Sequence, residues 1–279
     1  MLRRRACLFV AVATIATGSG VVAALPPIHG ALTASERAER GIAFAPESSC
    51  DLATATAVGA RHPAVDQLVL MVTDDFAATS GDVEILVRSA DGTWRCRRGP
   101  QFAMFGRNGT RPLLARRSGD GTTPAGVFPL ATVTAWDGGT FSMFGNRPDP
   151  GVLADYRPVR REDCWGATAG TARYQHVVER PGCAGPDEWL ESYGEAYSHA
   201  AVIGANLDPI SGDEPGETPY AAAIFLHRTS YRSSGAPKAT SGCVSLGYED
   251  LVDTLRSIDP ALDPHFAIGP RDWLRNGTA

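Results

Sequence analysis

Ser118-Gly119-Asp120-Gly121-Thr122-Thr123-Pro124-Ala125-Gly126-Val127-Phe128 crowds glycine, aspartate and proline ahead of an apolar step, the composition of a tight loop feeding a strand. The run it feeds, Gly126 to Leu130, has counterparts at Ala200 to Ile203 and Ala221 to Leu226. Short apolar runs bounded by turn residues read as buried strands. Upstream, Gln67 to Val72 and Val83 to Val87, followed by Ala90-Asp91-Gly92 and Trp94, read as a hairpin. With 30 Gly and 20 Pro in 279 residues, short strands and turns are favoured over long helices. The expected fold is therefore mainly β with a few short helices. One helix is predicted over Asp187 to Tyr197, where Trp189, Leu190, Tyr193 and Tyr197 follow Pro186 at helical spacing. A second, Glu249 to Ile258, carries a stripe of Leu251, Val252, Leu255 and Ile258 and is closed by Asp259-Pro260.

Hydrophobic residues make up 43% of the chain and charged ones 20%, the balance of a folded chain able to bury a sizeable core. A net charge of -5 with no long basic run after the N-terminus argues against nucleic acid as a partner. Arg3, Arg4 and Arg5 precede an apolar stretch from Ala6 to Val22 and the small residues Ala23 and Ala24, the order of a secretory signal. An uncleaved anchor is the alternative, because the stretch approaches the ~20 residues that span a bilayer. The expected organisation is a signal peptide over 1–31, an N-terminal extension or linker over 32–65, and a folded domain over 66–272. Such a chain is exported and keeps no stable membrane span once its signal is cleaved.

Removing Cys7 with the signal leaves Cys50, Cys96, Cys164, Cys183 and Cys243, an odd count. Thiols tend to pair outside the cytoplasm, so one is left as a candidate reactive thiol, while four cysteines allow three pairings. Chain order suggests Cys50 with Cys96 and Cys164 with Cys183; Cys243 inside a disulfide is the alternative.

Ala221-Ala222-Ala223-Ile224-Phe225-Leu226-His227 delivers a histidine at the end of an apolar run, and Cys243 follows sixteen residues later within Thr240-Ser241-Gly242-Cys243-Val244-Ser245-Leu246. A thiol of pKa about 8.5 is mostly protonated at neutral pH, and a neighbouring imidazole can hold it as thiolate or take its proton during attack. Gly242 lets the backbone approach a substrate closely, where amide N–H groups near Cys243 can stabilise an oxyanion.

The Ser118 to Phe128 stretch is similar to the Gly-Asp-Gly-x-Thr-Pro-x-Gly-x-Phe signature of the L,D-transpeptidase catalytic domain family (YkuD/ErfK-type), and His227 with Ser241-Gly242-Cys243 resembles that family's active-site signature. The likeness runs from Gln67 to Gly269, takes in Phe105 to Gly109 and Asp163-Cys164-Trp165, and is to the branch found in secreted actinobacterial proteins. It implies a β-sandwich or barrel catalytic domain, and it implies that Cys243 is the nucleophile and His227 the general acid/base. The carbonyl of Arg228 would orient the imidazole, and Ser241 and Gly242 would line the site. The implied substrates are peptidoglycan stem peptides. The cysteine attacks the carbonyl between a diamino acid and D-Ala, and a neighbouring stem's amine takes the acyl group to give a 3-3 crosslink; carbapenem β-lactams are the implied inhibitors. A carboxypeptidase or endopeptidase using water, or a non-catalytic wall-binding module, are the alternatives. At Ser245 the chain departs from the Cys-x-Arg pattern of many members, removing a possible donor to a substrate carboxylate; Ser245 itself reads as a loop residue.

His62, His176, His199 and His265 are scattered and Cys50 to Cys183 contain no CxxC, so neither metal nor other cofactor is expected. Trp94, Trp136, Trp165, Trp189 and Trp273 read as core cover. Arg95, Arg97, Arg98, Arg116 and Arg117 read as solvated faces with a weak pull on an acidic wall polymer.

Overall fold

A computed structural model describes residues 49–207 and 217–277. The segment read as a signal, and the extension up to residue 48, lie outside the described residues. The fold is mainly β. One eleven-stranded sheet runs in the order Thr110–Pro112, Thr123–Pro129, Pro264–Pro270, Gln67–Thr73, Ser80–Arg88, Trp94–Met104, Val244–Leu246, Phe225–Arg228, Ala200–Val202, Met143–Gly145 and Tyr156–Pro158.

All seven residues of Gln67–Thr73 are buried, because both faces of the strand are covered. Val69 and Met71 point into the larger core with Phe105, Leu226, Val244 and the helical Leu251 and Leu255. Leu68, Leu70 and Val72 point the other way, onto Ala55, Val58, Trp94 and Leu274. That second cover includes helix α1, Leu52–Arg61, which lies within the stretch read as an extension or linker. Its sequence, LATATAVGAR, is too uniformly small to show an apolar stripe. Tertiary contacts hold it: Asp51 caps the Thr54 N–H at 3.0 Å and bonds Arg271 and Arg275 of the C-terminal helix Arg271–Asn276.

The second predicted helix is present as Tyr248–Ser257. The first is not a regular α-helix: Glu188–Trp189 pairs as a strand with Cys164 and Trp165, and Leu190–Tyr197 is 3-10 in character with a break at Gly194, φ 51°. The apolar spacing there serves an aromatic cluster instead, in which Phe225 meets Phe144 at 5.1 Å, Trp165 at 4.8 Å and Tyr197 at 5.6 Å between centroids. Edge-to-face pairs of this kind add about 0.5–1.5 kcal/mol each beyond burial. The run Ala221 to Leu226 becomes a strand only from Phe225.

Disulfides join Cys50 to Cys96 and Cys164 to Cys183, leaving Cys243 as the free cysteine among the described residues. The first bond ties the chain ahead of α1 to a strand residue that is 0% exposed. Its sequence separation of 46 closes a loop worth about 4 kcal/mol in the chain-entropy picture. Replacing both Cys50 and Cys96 by alanine is expected to lower the urea-unfolding free energy by about that amount, and an unchanged midpoint would show that α1 docks without the bond.

Candidate active site

Phe225–Arg228 and Val244–Leu246 lie side by side and parallel, with Leu226 opposite Val244 and His227 opposite Ser245. Side chains alternate along a strand, so Leu226 enters the larger core while Phe225 and His227 face the aromatic cluster. Cys243, one residue before Val244, packs on that same cluster. This register brings two residues sixteen apart in sequence to one face.

The Ser118 to Phe128 loop holds the cysteine's backbone. Thr123 Oγ1 accepts the Gly106 N–H at 2.8 Å and donates to the Cys243 carbonyl at 3.2 Å, and Thr240 Oγ1 donates to the same carbonyl at 2.6 Å. Asp120 accepts from both the N–H and the hydroxyl of Thr122 and pairs with Arg116 at 3.5 Å. Gly106 has to be glycine, since a Cβ there would stand 2.4 Å from the Gly121 carbonyl oxygen. Gly242 sits at φ 151°, a conformation open to glycine, and a Cβ would meet the Thr122 oxygen at 3.2 Å. Its N–H is already bonded to Thr240 Oγ1 at 3.1 Å.

Cys243 opens on a cavity of about 570 Å³ whose walls include Arg116, Glu188, Ser241 and Gly242. His227 is 9% exposed and is not part of that lining. Its Nδ1 is 2.8 Å from the Arg228 carbonyl oxygen; only a protonated nitrogen can donate there, which leaves Nε2 as the basic atom. Burial drives the imidazole pKa down to about 4, against the opposing pull of the Arg228 and Ala196 carbonyls. Burial also pushes the Cys243 thiol up to about 12, with Glu188 adding to the effect and the Phe225 N–H and Arg116 working against it. Both groups are therefore neutral at rest.

Among the described residues no hydrogen bond joins the two. The sulfur accepts the Phe225 N–H at 3.4 Å and donates to the Ala223 carbonyl at 3.4 Å. Ala223 takes φ 52°, a left-handed conformation that costs a residue with a Cβ about 1 kcal/mol or more. This backbone turn aims its carbonyl at the thiol. The thiol hydrogen is thus engaged by Ala223 rather than by His227.

Of the residues singled out from sequence, Ser241, Gly242 and Cys243 meet at the cavity. Arg228 contributes its carbonyl to His227 and turns its guanidinium to Glu195. Ser245 is not a loop residue: it is fully buried in a strand, 3.2 Å from the Thr229 hydroxyl. Arg116 is no solvated face either, being 3% exposed, bonded to Thr122 and the Tyr220 carbonyl, and set in the cavity wall. Arg95, Arg97 and Arg98 are likewise half-buried. Glu188 had no signal in sequence, since only the pairing of Glu188–Trp189 with Trp165 and Cys164 carries it to the cavity. Among the described residues no group of three or more His, Cys, Asp or Glu could hold a metal ion, and no helix is long and apolar enough to cross a membrane.

Residues 85–264 match the family model described as YkuD, L,D-transpeptidase catalytic domain. That span contains His227, Cys243 and the loop bonded to the Cys243 carbonyl. Searches of curated proteins and of solved structures return no match.

Two pH effects follow from the neutral pair. Alkylation of Cys243 by iodoacetamide is expected to accelerate continuously from pH 7 to 10, following the raised thiol pKa; a plateau below pH 8 would mean a preformed thiolate. For His227 the folded pKa lies below the free value of 6.5, so its neutral form stabilises the fold above pH 6.5 and that contribution fades as pH falls towards 4. The loss is about 3 kcal/mol. It should be absent from the pH dependence of urea unfolding in His227→Gln, and equal slopes in both proteins would contradict the assignment.

Proposed function

Because the chain belongs to the L,D-transpeptidase catalytic domain family, we propose that it acts on peptidoglycan stem peptides through a cysteine acyl-enzyme and forms 3-3 crosslinks. The observation that carries this reading is Cys243: the one cysteine left free among the described residues, beside a cavity sized for a peptide segment. Thiols elsewhere in the described chain are oxidised in pairs, which fits an exported protein. The signal over 1–31 would be removed and the domain over 66–272 would work at the wall.

In the proposed reaction Cys243 attacks the carbonyl between the diamino acid and D-Ala while its proton passes to Nε2 of His227. A C–S bond forms, and the imidazolium returns the proton to the departing D-Ala nitrogen as the C–N bond breaks. Transfer during attack suits a site where neither ion is stable beforehand. Arg116, in the cavity wall by Gly242, would meet the D-Ala carboxylate and supply the guanidinium that Ser245 does not. The thioester then passes its acyl group to the side-chain amine of a second stem.

Incubation with a carbapenem, read by intact-protein mass spectrometry, is expected to leave one β-lactam adduct on the native protein and none on Cys243→Ala. His227→Ala should acylate about 10²–10⁴-fold more slowly, the usual worth of a positioned base. An adduct that persists on Cys243→Ala, or a native protein with a titratable thiol and no adduct, would overturn the reading; the second result would favour a wall-binding module. With a tetrapeptide donor, release of tripeptide without crosslinked product would identify a carboxypeptidase.

A further inference from the structure

Glu188 shares the cavity wall with Cys243. Among the described residues its partners there are hydroxyls rather than cations. Tyr197 donates to Oε2 at 2.6 Å and Tyr193 donates as well. The two tyrosine rings stack at 4.4 Å, and Tyr197 stands edge-on to the His227 ring at 5.4 Å. The carboxylate is thus held by the same aromatic ring that packs on the histidine.

This placement is adverse for the first half of the reaction. After burial itself, Glu188 is the largest influence opposing thiolate formation at Cys243, and a cysteine nucleophile is ordinarily helped by nearby cations. A carboxylate without a cationic partner at such a position is costly. What would complete it is a positive charge brought by a ligand. The proposed second half-reaction, on whose correctness this inference rests, brings one: a primary amine that arrives as an ammonium ion and must lose a proton before it can attack.

We propose that Glu188 is the acceptor site, binding the cationic amine of the incoming stem beside the Cys243 thioester and taking its first proton. The freed amine lone pair attacks the thioester carbonyl, the C–N bond forms and the C–S bond breaks. The second proton lost by nitrogen passes through His227 to the departing sulfur, which ends as the thiol, and Glu188 then releases its own proton to solvent. Burial raises the Glu188 pKa to about 7 against the two tyrosine hydroxyls, and burial of an ammonium in the same cavity lowers the amine's pKa, so transfer between them is within reach. Water carries no charge and is not drawn to the carboxylate as an ammonium is, so Glu188 favours crosslinking over hydrolysis by binding the acceptor.

The test is the partition of one acyl-enzyme between nucleophiles, a ratio independent of how fast that acyl-enzyme forms. Full-length native protein and Glu188→Gln are loaded with a tetrapeptide donor and offered either a diamino-acid stem or hydroxylamine, which is neutral at pH 7. The expected result is a fall of about tenfold or more in the ratio of amide to hydrolysis product for the cationic stem, the worth of a charged hydrogen bond. Hydroxylamine capture should change far less. An unchanged ratio, or an equal fall for both nucleophiles, would overturn the acceptor site. Should Glu188→Gln not fold, Glu188→Asp is scored in the same way, a fall confined to the cationic stem supporting the site. Failure of the underlying reading looks different, because native protein would then form no acyl-enzyme with either donor or carbapenem.

Discussion

The parallel pairing of Phe225–Arg228 with Val244–Leu246, in the register Leu226 to Val244, is the constraint on which the site depends. A slip of one residue would turn His227 into the larger core and Leu226 out of it. Burial on both faces prevents that slip: Leu226, Val244 and Leu246 are fully enclosed on one side, and Phe225 is fully enclosed among aromatic rings on the other. The energy that fixes the chemistry is therefore ordinary hydrophobic burial, at roughly 25 cal/mol per Å² of apolar surface.

Around that pair the Ser118 to Phe128 loop acts as a clamp. Thr123 bridges the Gly106 amide and the Cys243 carbonyl, while Asp120 organises Thr122 and Arg116. The loop is bonded to Cys243 only through that residue's backbone carbonyl, so reading it as a loop feeding a strand is correct for its local form. Its tie to Cys243 is a tertiary fact. Buried Ser245 gives the cavity nothing, whereas Arg116, two residues ahead of the loop, places a charge in the wall.

Burial among packed side chains sets the electrostatic character of the pair. Desolvation moves the imidazole to about 4 and the thiol to about 12, so the pair stores no charge at rest. The left-handed Ala223 keeps the thiol hydrogen engaged meanwhile. Glu188 and Arg116 both line the cavity, one an acid and the other a base.

Several features were legible in the chain itself. Apolar runs and their punctuation marked Gln67 to Val72, Val83 to Val87 and Gly126 to Leu130 as strands, found at Gln67–Thr73, Ser80–Arg88 and Thr123–Pro129; the stripe of Leu251, Val252 and Leu255 marked a helix, and an odd cysteine count pointed to a free thiol. These are local or compositional signals, and each depends on periodicity or pairing rules that neighbours in sequence already express. Helix α1, the 3-10 form of Leu190–Tyr197, the burial of Arg116 and Ser245 and the arrival of Glu188 at the cavity were not legible. Each is decided by what packs against the residue from far along the chain: Arg271 and Arg275 on Asp51, Phe225 on Tyr197, Tyr220 on Arg116 and Trp165 on Glu188. The sequence by itself determined which side chains could do chemistry, because that is a property of residue type and strand pattern. Only the tertiary structure decided their protonation and their partners, because both depend on burial and on distances that no local pattern records.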